Sequence, residues 1–212
     1  MLRNASFGEI MVTLPALLLA FTIHELCHGL SAYWLGDDTA KRDGRLSLNP
    51  IRHIDPFGML CILIAGFGWA KPVMVNPGNF RNPKVDMALV AIAGPISNFI
   101  MAFIGLLILY PISHMANAPF YLLIGMWTFS YLNVLLGVFN LLPIPPLDGS
   151  KVIAGMLPDS IYYRLPPVGM FGMVLLLILV FTNATREIII PIVETIFDTF
   201  LIAVGNIYGF FG

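Results

Sequence analysis

The chain has 212 residues, of which 58% are apolar and only 11% are charged. Soluble domains average about 25% charged residues, so this composition excludes an ordinary soluble enzyme, and its apolar content excludes a disordered chain. The net charge of −1, from 11 basic and 12 acidic residues, provides no basic surface for nucleic acid, and two cysteines do not form a disulfide framework. The composition therefore indicates an integral, multi-pass protein of the cell membrane.

Stretches without charged residues locate the expected membrane spans. Residues 87–147 contain no Asp, Glu, Lys or Arg, which allows two crossings of about 20 residues each and a turn near Pro111–Pro119. The sequence predicts an all-α polytopic bundle of five to six transmembrane segments in a single domain, residues 1–212. The expected full spans are residues 10–35, 88–110, 120–142, 166–183 and 188–210.

The apolar segment Phe57–Trp69 is too short to cross the membrane. A helix of this length rises about 20 Å, whereas the hydrocarbon core is about 30 Å thick, and the segment contains several glycines. We expect it to enter the membrane and return to the same face. The segment Gly66–Val75, which overlaps its end, is expected to be extended and β-like, and to pair with an unwound substrate as an added strand.

The basic residues predict the orientation. If Phe57–Trp69 returns to the face it left, most Lys and Arg residues lie on one face, which the positive-inside rule makes cytosolic. The N-terminus is then outside. The predicted inner face carries Lys41, Arg42, Arg45, Arg52, Lys71, Arg81, Lys84, Lys151 and Arg164, and the outer face carries Arg3 and Arg186.

The first span contains His24, Glu25 and His28 in the pattern His-Glu-x-x-His. Residues four apart share a helix face, so both imidazoles can reach one ion, and Glu25 is turned about 100° from His24, where it can act on a water. This is the zinc hydrolase pattern. Ionisable residues at mid-bilayer cost about 2.5–3.5 kcal/mol each, which favours a metal site over the alternative, a polar contact between helices.

A catalytic zinc site usually has a third protein ligand, and Asp148 is the best candidate. The prolines at 143, 145 and 146 forbid a regular helix before it, so this segment is expected to line a wet cavity. From this cavity Asp148 can point back towards the histidines. The alternative is that Asp148 and Gly149 only form a turn.

Other potential ligands are weaker candidates. His114 falls in the outer turn, and His53 falls in a polar loop where it is expected to be solvated. Cys27 is expected to be a small buried residue. Glu194 and Asp198, on the last span, are left outside the predicted site.

Together, His24-Glu25-x-x-His28 and Asn140-x-x-Pro-x-Pro-x-x-Asp148-Gly149 resemble the motifs of the site-2 protease family of intramembrane zinc metalloproteases. The resemblance covers about residues 20–150. It implies a metalloprotease domain with a catalytic core at about 10–150 and accessory or gating spans at about 165–211. The chain resembles a compact member without soluble sensor domains.

The resemblance also implies a role for each motif residue. One Zn²⁺ per chain is held by His24, His28 and Asp148, and Glu25 activates water as the general base in peptide hydrolysis.

Three further residues have implied supporting roles. Asn140 positions substrate or stabilises the oxyanion. Gly94 and Asn98 form a Gly-x-x-x-Asn element on the intervening span, which binds substrate or supports a histidine, with plain helix packing as the alternative.

The implied partners are transmembrane protein substrates and the lipid bilayer, with the active site open to the cytosolic side; the oligomeric state is not predicted. Two other functions stay open at this point. Intramembrane His, Glu and Asp residues also mark ion pathways, so one is a membrane metal transporter. The other is a non-catalytic protein that holds membrane clients, although such a protein needs no general base.

Overall fold

The computed structural model describes residues 7–65, 68–162, 164, 170–182 and 185–211. In these residues the fold is mostly helical and contains no β-sheet. The long helices are α1 (Phe7–Trp34), α4 (Pro83–Ser113), α5 (Phe120–Asn140) and α9 (Ile190–Phe211). The short helices are α2 (Thr39–Arg42), α3 (Pro56–Ala65), α6 (Asp148–Met156), α7 (Asp159–Tyr162) and α8 (Met170–Phe181).

Among the described residues, four helices are long and apolar enough to cross a membrane: Gly8–Trp34, Pro83–Ser113, Phe120–Asn140 and Glu187–Gly209. They coincide with four of the five spans expected from the sequence. The fifth expected span, residues 166–183, lies partly outside the described residues, and its described part, α8, has 12 residues. The predicted count of five to six segments is therefore not confirmed.

The segment predicted to be re-entrant also lies partly outside the described residues, which omit Gly66 and Phe67. Its described part forms α3. Ile54, before this helix, forms an isolated antiparallel β-bridge with Ala70 after it. The two ends of this segment are therefore next to each other. Among the described residues of the predicted extended segment, β-pairing is limited to this bridge.

Helices α1, α4 and α5 form the centre of the bundle, with α4 antiparallel to the other two. His24 of α1 contacts Asn98, whereas His28, one turn later, contacts Val90 nearer the start of α4. Small residues bring the helices close together. A Cβ on Gly137 of α5, for example, would lie 2.8 Å from the Phe99 ring of α4. The close approach allows side chains of all three helices to meet.

Helix α9 packs on α4 and α5 and runs in the same direction as α4. Its start, preceded by Arg186, therefore lies at the end of the bundle where α4 begins, and the expectation that Arg186 lies on the face opposite Lys84 is wrong. Phe200 packs edge-on against Phe103 with ring centroids 5.4 Å apart. Further along both helices, the Tyr208 hydroxyl donates to the carbonyl of Leu107 at 2.7 Å. Helix α9 thus supports the centre of the bundle from the side.

Two buried charged side chains tie down the segment between α3 and α4. Arg45 Nη2 donates to the carbonyl oxygens of Lys71, at 2.5 Å, and Pro72, at 3.0 Å. Asp37, just after α1, accepts from the backbone N–H of Asn76 at 2.7 Å. The chain between these anchors, residues 72–76, is thereby held against the end of α1.

The Asp37 anchor predicts a pH-dependent contribution to stability. Burial raises the pKa of Asp37, but hydrogen bonds from Thr39, Asn76 and Asn79 outweigh this effect and hold the pKa below its ordinary value of 3.8. A carboxyl with a lower pKa in the folded state stabilises the fold above its unfolded pKa, and the stabilisation is lost as the pH falls through the folded pKa. We expect Asp37→Asn to lower the free energy of unfolding by about 1–3 kcal/mol at neutral pH.

Thermal unfolding in detergent between neutral pH and about pH 3 measures this effect against wild type. The difference between the two proteins should shrink below about pH 4. The exposed Asp43, changed to asparagine, serves as the control. A difference that stays constant at every pH would contradict the assigned role of the Asp37 carboxylate.

Candidate metal centre

Three buried side chains meet where α1, α4 and the start of α6 come together. His24 Nε2 and His28 Nε2 lie 3.0 Å apart, and Asp148 Oδ2 lies 3.2 Å from the first and 3.0 Å from the second. The three residues are only 4–8% exposed. Their ligand atoms all lie within 4.8 Å of one another. The predicted convergence of Asp148 on the histidine pair is thus present in the structure.

The donor atoms and their spacing fit a zinc ion. A tetrahedral zinc with bonds of about 2.0–2.1 Å has ligand atoms about 3.3–3.4 Å apart, close to the separations found here. Two imidazole nitrogens and one carboxylate oxygen are typical of catalytic zinc, which keeps its fourth position for water. These three residues can therefore hold one such ion.

Hydrogen bonds at Nδ1 prepare both imidazoles to bind through Nε2. His28 Nδ1 donates to the backbone carbonyl of Val90 at 2.7 Å. His24 Nδ1 lies 2.6 Å from Asn98 Oδ1. With the proton on Nδ1, each Nε2 keeps the lone pair that a metal ion requires.

Asp148 is placed by the interruption between α5 and α6. The proline-containing segment 143–146 is not helical, as predicted, and α6 begins at Asp148 itself. Gly149 fits tightly against the backbone of Leu141, leaving no room for a Cβ. Asp148 Oδ1 lies 3.2 Å from Lys151 Nζ, so the other carboxylate oxygen faces the imidazoles.

Gly94 of α4 lies directly against the two imidazoles. A Cβ at this position would lie 2.5 Å from His28 Nε2 and 2.7 Å from His24 Cε1, closer than real Cβ atoms approach. Helix α4 can approach the histidines this closely only because residue 94 is a glycine.

We expect Gly94→Ala to weaken zinc binding by about 10–100-fold, the range seen when the support of a metal ligand is removed. The added methyl group must push at least one imidazole away from the other ligands. Competition with a chelator of known affinity measures the effect. Gly125→Ala is the matched control, because a Cβ there meets its nearest neighbour at an ordinary 3.8 Å. Equal zinc affinity in the two variants would contradict this role of Gly94.

A cavity of about 330 Å³ opens beside these residues. It is lined by both histidines, Asp148, Glu25, Asn140 and residues 72–75. Glu25 Oε2 accepts a hydrogen bond from the backbone N–H of Val73 at 2.8 Å. Asn140 uses one amide N–H on the carbonyl of Leu136 at 3.0 Å, which leaves its second N–H for another acceptor. The cavity therefore brings a carboxylate and an amide donor next to the potential metal ligands.

The sequence interpretation missed three features of this region. Asn133 of α5 is fully buried and contacts Asn98, which connects it to His24. Asn133 precedes Asn140 by seven residues, or about two helical turns, so the sequence could have predicted that both asparagines lie on the same face of α5. His53 was expected to be solvated, and this was wrong: it is 2% exposed, and its Nε2 lies 2.8 Å from the carbonyl of Ser47. Cys27 was expected to be buried, but it is only partly buried.

Comparison with known proteins identifies the family. The pattern described as Peptidase family M50 matches residues 112–181, which include Asn140 and Asp148. Several similar proteins are named "putative zinc metalloprotease". One of them, YwhC of Bacillus subtilis (strain 168), is 41% identical over 203 residues, covering 87% of this chain and 92% of its own. The chain belongs to peptidase family M50.

Proteins of two other organisms have the same kind of name. Rip2 of Mycolicibacterium smegmatis is 26% identical over 209 residues, covering 94% of this chain and 80% of its own. MJ0611 of Methanocaldococcus jannaschii is 39% identical over 150 residues, covering 71% and 73%. No solved structure is significantly similar to the chain. The site-2 protease resemblance is confirmed, and this M50 member is a zinc metalloprotease of the membrane.

Proposed function

We propose that this M50 peptidase is an intramembrane zinc endopeptidase that hydrolyses peptide bonds in or near the transmembrane segments of membrane proteins. The ligands of the ion are His24, His28 and Asp148. The observation that carries the proposal is the convergence of these residues and Glu25 on one cavity within a bundle of apolar helices.

The position of the cavity along α1 supports hydrolysis inside the membrane. His24 lies ten residues before Trp34, the last residue of α1, which corresponds to about 15 Å along the helix axis. Water is required at this depth. The cavity, lined by polar side chains and by the non-helical segment before Asp148, is the route that we assign to it.

In the proposed reaction, a water oxygen bonds to the substrate carbonyl carbon and the C–N bond then breaks. A bound zinc ion supplies Lewis acidity, which lowers the pKa of a bound water to about 7 and polarises the carbonyl. Glu25 takes the proton from the water and passes it to the leaving amine. The Val73 N–H orients the Glu25 carboxylate for both transfers. Asn140 donates its second amide N–H to the developing oxyanion.

The substrate must expose a backbone carbonyl, so its transmembrane helix has to unwind locally. We propose that the unwound part of the substrate pairs with residues 72–75, which line the cavity next to Glu25. Arg45 and Asp37 hold the two ends of this segment. A segment fixed in this way can accept an added strand without first being ordered itself.

We further propose that the cavity opens towards the cytosol and that the N-terminus of α1 is outside. The loops at the Asp148 end of the bundle contain most of the basic residues of the chain, in agreement with the positive-inside rule. Lys151, at the cavity, is one of them.

Substrate preference tests the proposed function. Purified protein in detergent is given a substrate with one transmembrane helix and, separately, a soluble unfolded protein, and the products are mapped by mass spectrometry. We expect cuts within or next to the transmembrane segment and little cleavage of the soluble protein. Equal cleavage of both, or cuts confined to soluble regions, would show a metalloprotease that does not act within the membrane.

A further inference from the structure

We propose that Asn133, on α5, is a positioning residue that holds the Asn98 amide with its oxygen towards His24. Asn133 thereby fixes the imidazole tautomer that can bind zinc. The inference rests on the proposed role of His24 as a ligand, and it adds to the site a residue that does not touch the ion.

A backbone carbonyl can accept hydrogen bonds but never donate them, and one such carbonyl fixes the orientation of the Asn133 amide. Asn133 Nδ2 donates to the carbonyl of Phe129 at 2.8 Å. The NH₂ group of Asn133 is therefore committed to its own helix, and its Oδ1 is directed to the other side. There it accepts a hydrogen bond from Asn98 Nδ2 at 2.9 Å.

The orientation of Asn133 in turn fixes the orientation of the Asn98 amide. Because Asn98 turns its NH₂ group to Asn133, and also towards the carbonyl of Ala20 at 3.5 Å, its Oδ1 faces His24 Nδ1 at 2.6 Å. An amide oxygen can only accept, so the proton of His24 lies on Nδ1. The His24 Nε2 lone pair is then free for the ion.

The opposite orientation of Asn98 would have the opposite result. An amide rotated by 180° has almost the same shape, but it would present NH₂ to His24 Nδ1, and the imidazole proton would move to Nε2. That tautomer cannot bind a metal through Nε2. Asn98 and Asn133 are both 0% exposed, so bulk water does not replace the missing acceptor. By accepting a hydrogen bond from Asn98 Nδ2, Asn133 Oδ1 therefore selects the orientation of the Asn98 amide in which His24 can bind zinc through Nε2.

Zinc affinity of the purified protein in detergent, measured by competition with a chelator, tests this chain of contacts. We expect Asn133→Leu, which removes the acceptor, to weaken zinc binding by about 10–100-fold. Asn133→Asp is expected to retain the affinity, because its carboxyl still presents an acceptor to Asn98. If Asn133→Leu does not fold, Asn133→Ala removes the same acceptor with less added bulk.

Ser130→Ala is the matched control on the same helix. Ser130 lies one turn before Asn133 and is also 0% exposed, and among the described residues its hydroxyl has no hydrogen-bond partner. Its replacement should leave zinc affinity unchanged. An equal loss in Ser130→Ala and Asn133→Leu would indicate a general packing effect and would overturn the proposal.

A second substitution in the same chain of contacts separates positioning from packing. Asn98→Asp places a carboxylate next to His24, and a carboxylate has no amide to rotate. In this background, Asn133→Leu should no longer weaken zinc binding. A loss as large as in the wild-type background would overturn the role of Asn133. His24→Ala tests the proposed ligand set separately from the role of Asn133. Unchanged zinc affinity in that variant would reject His24 as a ligand.

Discussion

Replacing Glu25 by glutamine is expected to slow peptide cleavage by about 10²–10⁴-fold, the range that a general base contributes. Zinc should stay bound, because Glu25 is not one of the three converging ligands. Glutamine has nearly the same size and still offers an oxygen to the Val73 N–H, so the segment at the cavity keeps its place. The measurement is the initial rate of cleavage of a transmembrane substrate, with bound zinc determined on the same sample.

Glu9→Gln is the matched control for this variant. It makes the same chemical change on the same helix, sixteen residues earlier and about 24 Å away along the axis. It should cleave at the wild-type rate. Wild-type cleavage by Glu25→Gln would reject Glu25 as the general base, whatever its effect on zinc.

The second large effect is expected from His28→Ala, which should weaken zinc binding by more than about 100-fold. Loss of a residue that only supports a ligand costs about 10–100-fold, and here a ligand itself is removed. Cleavage should fall with zinc occupancy. His114→Ala is the control, because His114 is an exposed histidine that follows α4, away from the cavity.

Equilibrium dialysis or chelator competition measures this loss, and Asp148→Ala should reproduce it. Unchanged zinc affinity in either variant would place the ion elsewhere in the protein. Retained cleavage in a zinc-free His28→Ala protein would reject metal-dependent hydrolysis at this site.

Local patterns predicted the convergence of His24, His28 and Asp148 that the structure shows. A spacing of four places His24 and His28 on one helix face whatever the rest of the chain does. The prolines before Asp148 forbid a regular helix for equally local reasons, and that segment is indeed non-helical. The family motifs supplied the pairing of the two elements, which spacing alone does not determine.

Features that depend on how the helices pack could not be predicted from the sequence. Nothing local distinguishes the buried His53 from a solvated histidine; its burial arises from the way the loop folds back towards Ala70. The approach of Gly94 to the imidazoles and the contact of Asn133 with Asn98 both require the relative placement of two helices. Apolar composition alone also did not determine how many segments are long enough to cross a membrane.

Zinc-dependent proteolysis within the membrane is tested most simply by cleavage of a single-helix membrane substrate by the purified wild-type protein, before chelation, after chelation and after zinc is returned. We expect cleavage in or near the transmembrane segment, loss of cleavage on chelation and recovery with zinc but not with magnesium. Cleavage that continues unchanged in the metal-free protein would rule out a zinc-dependent mechanism.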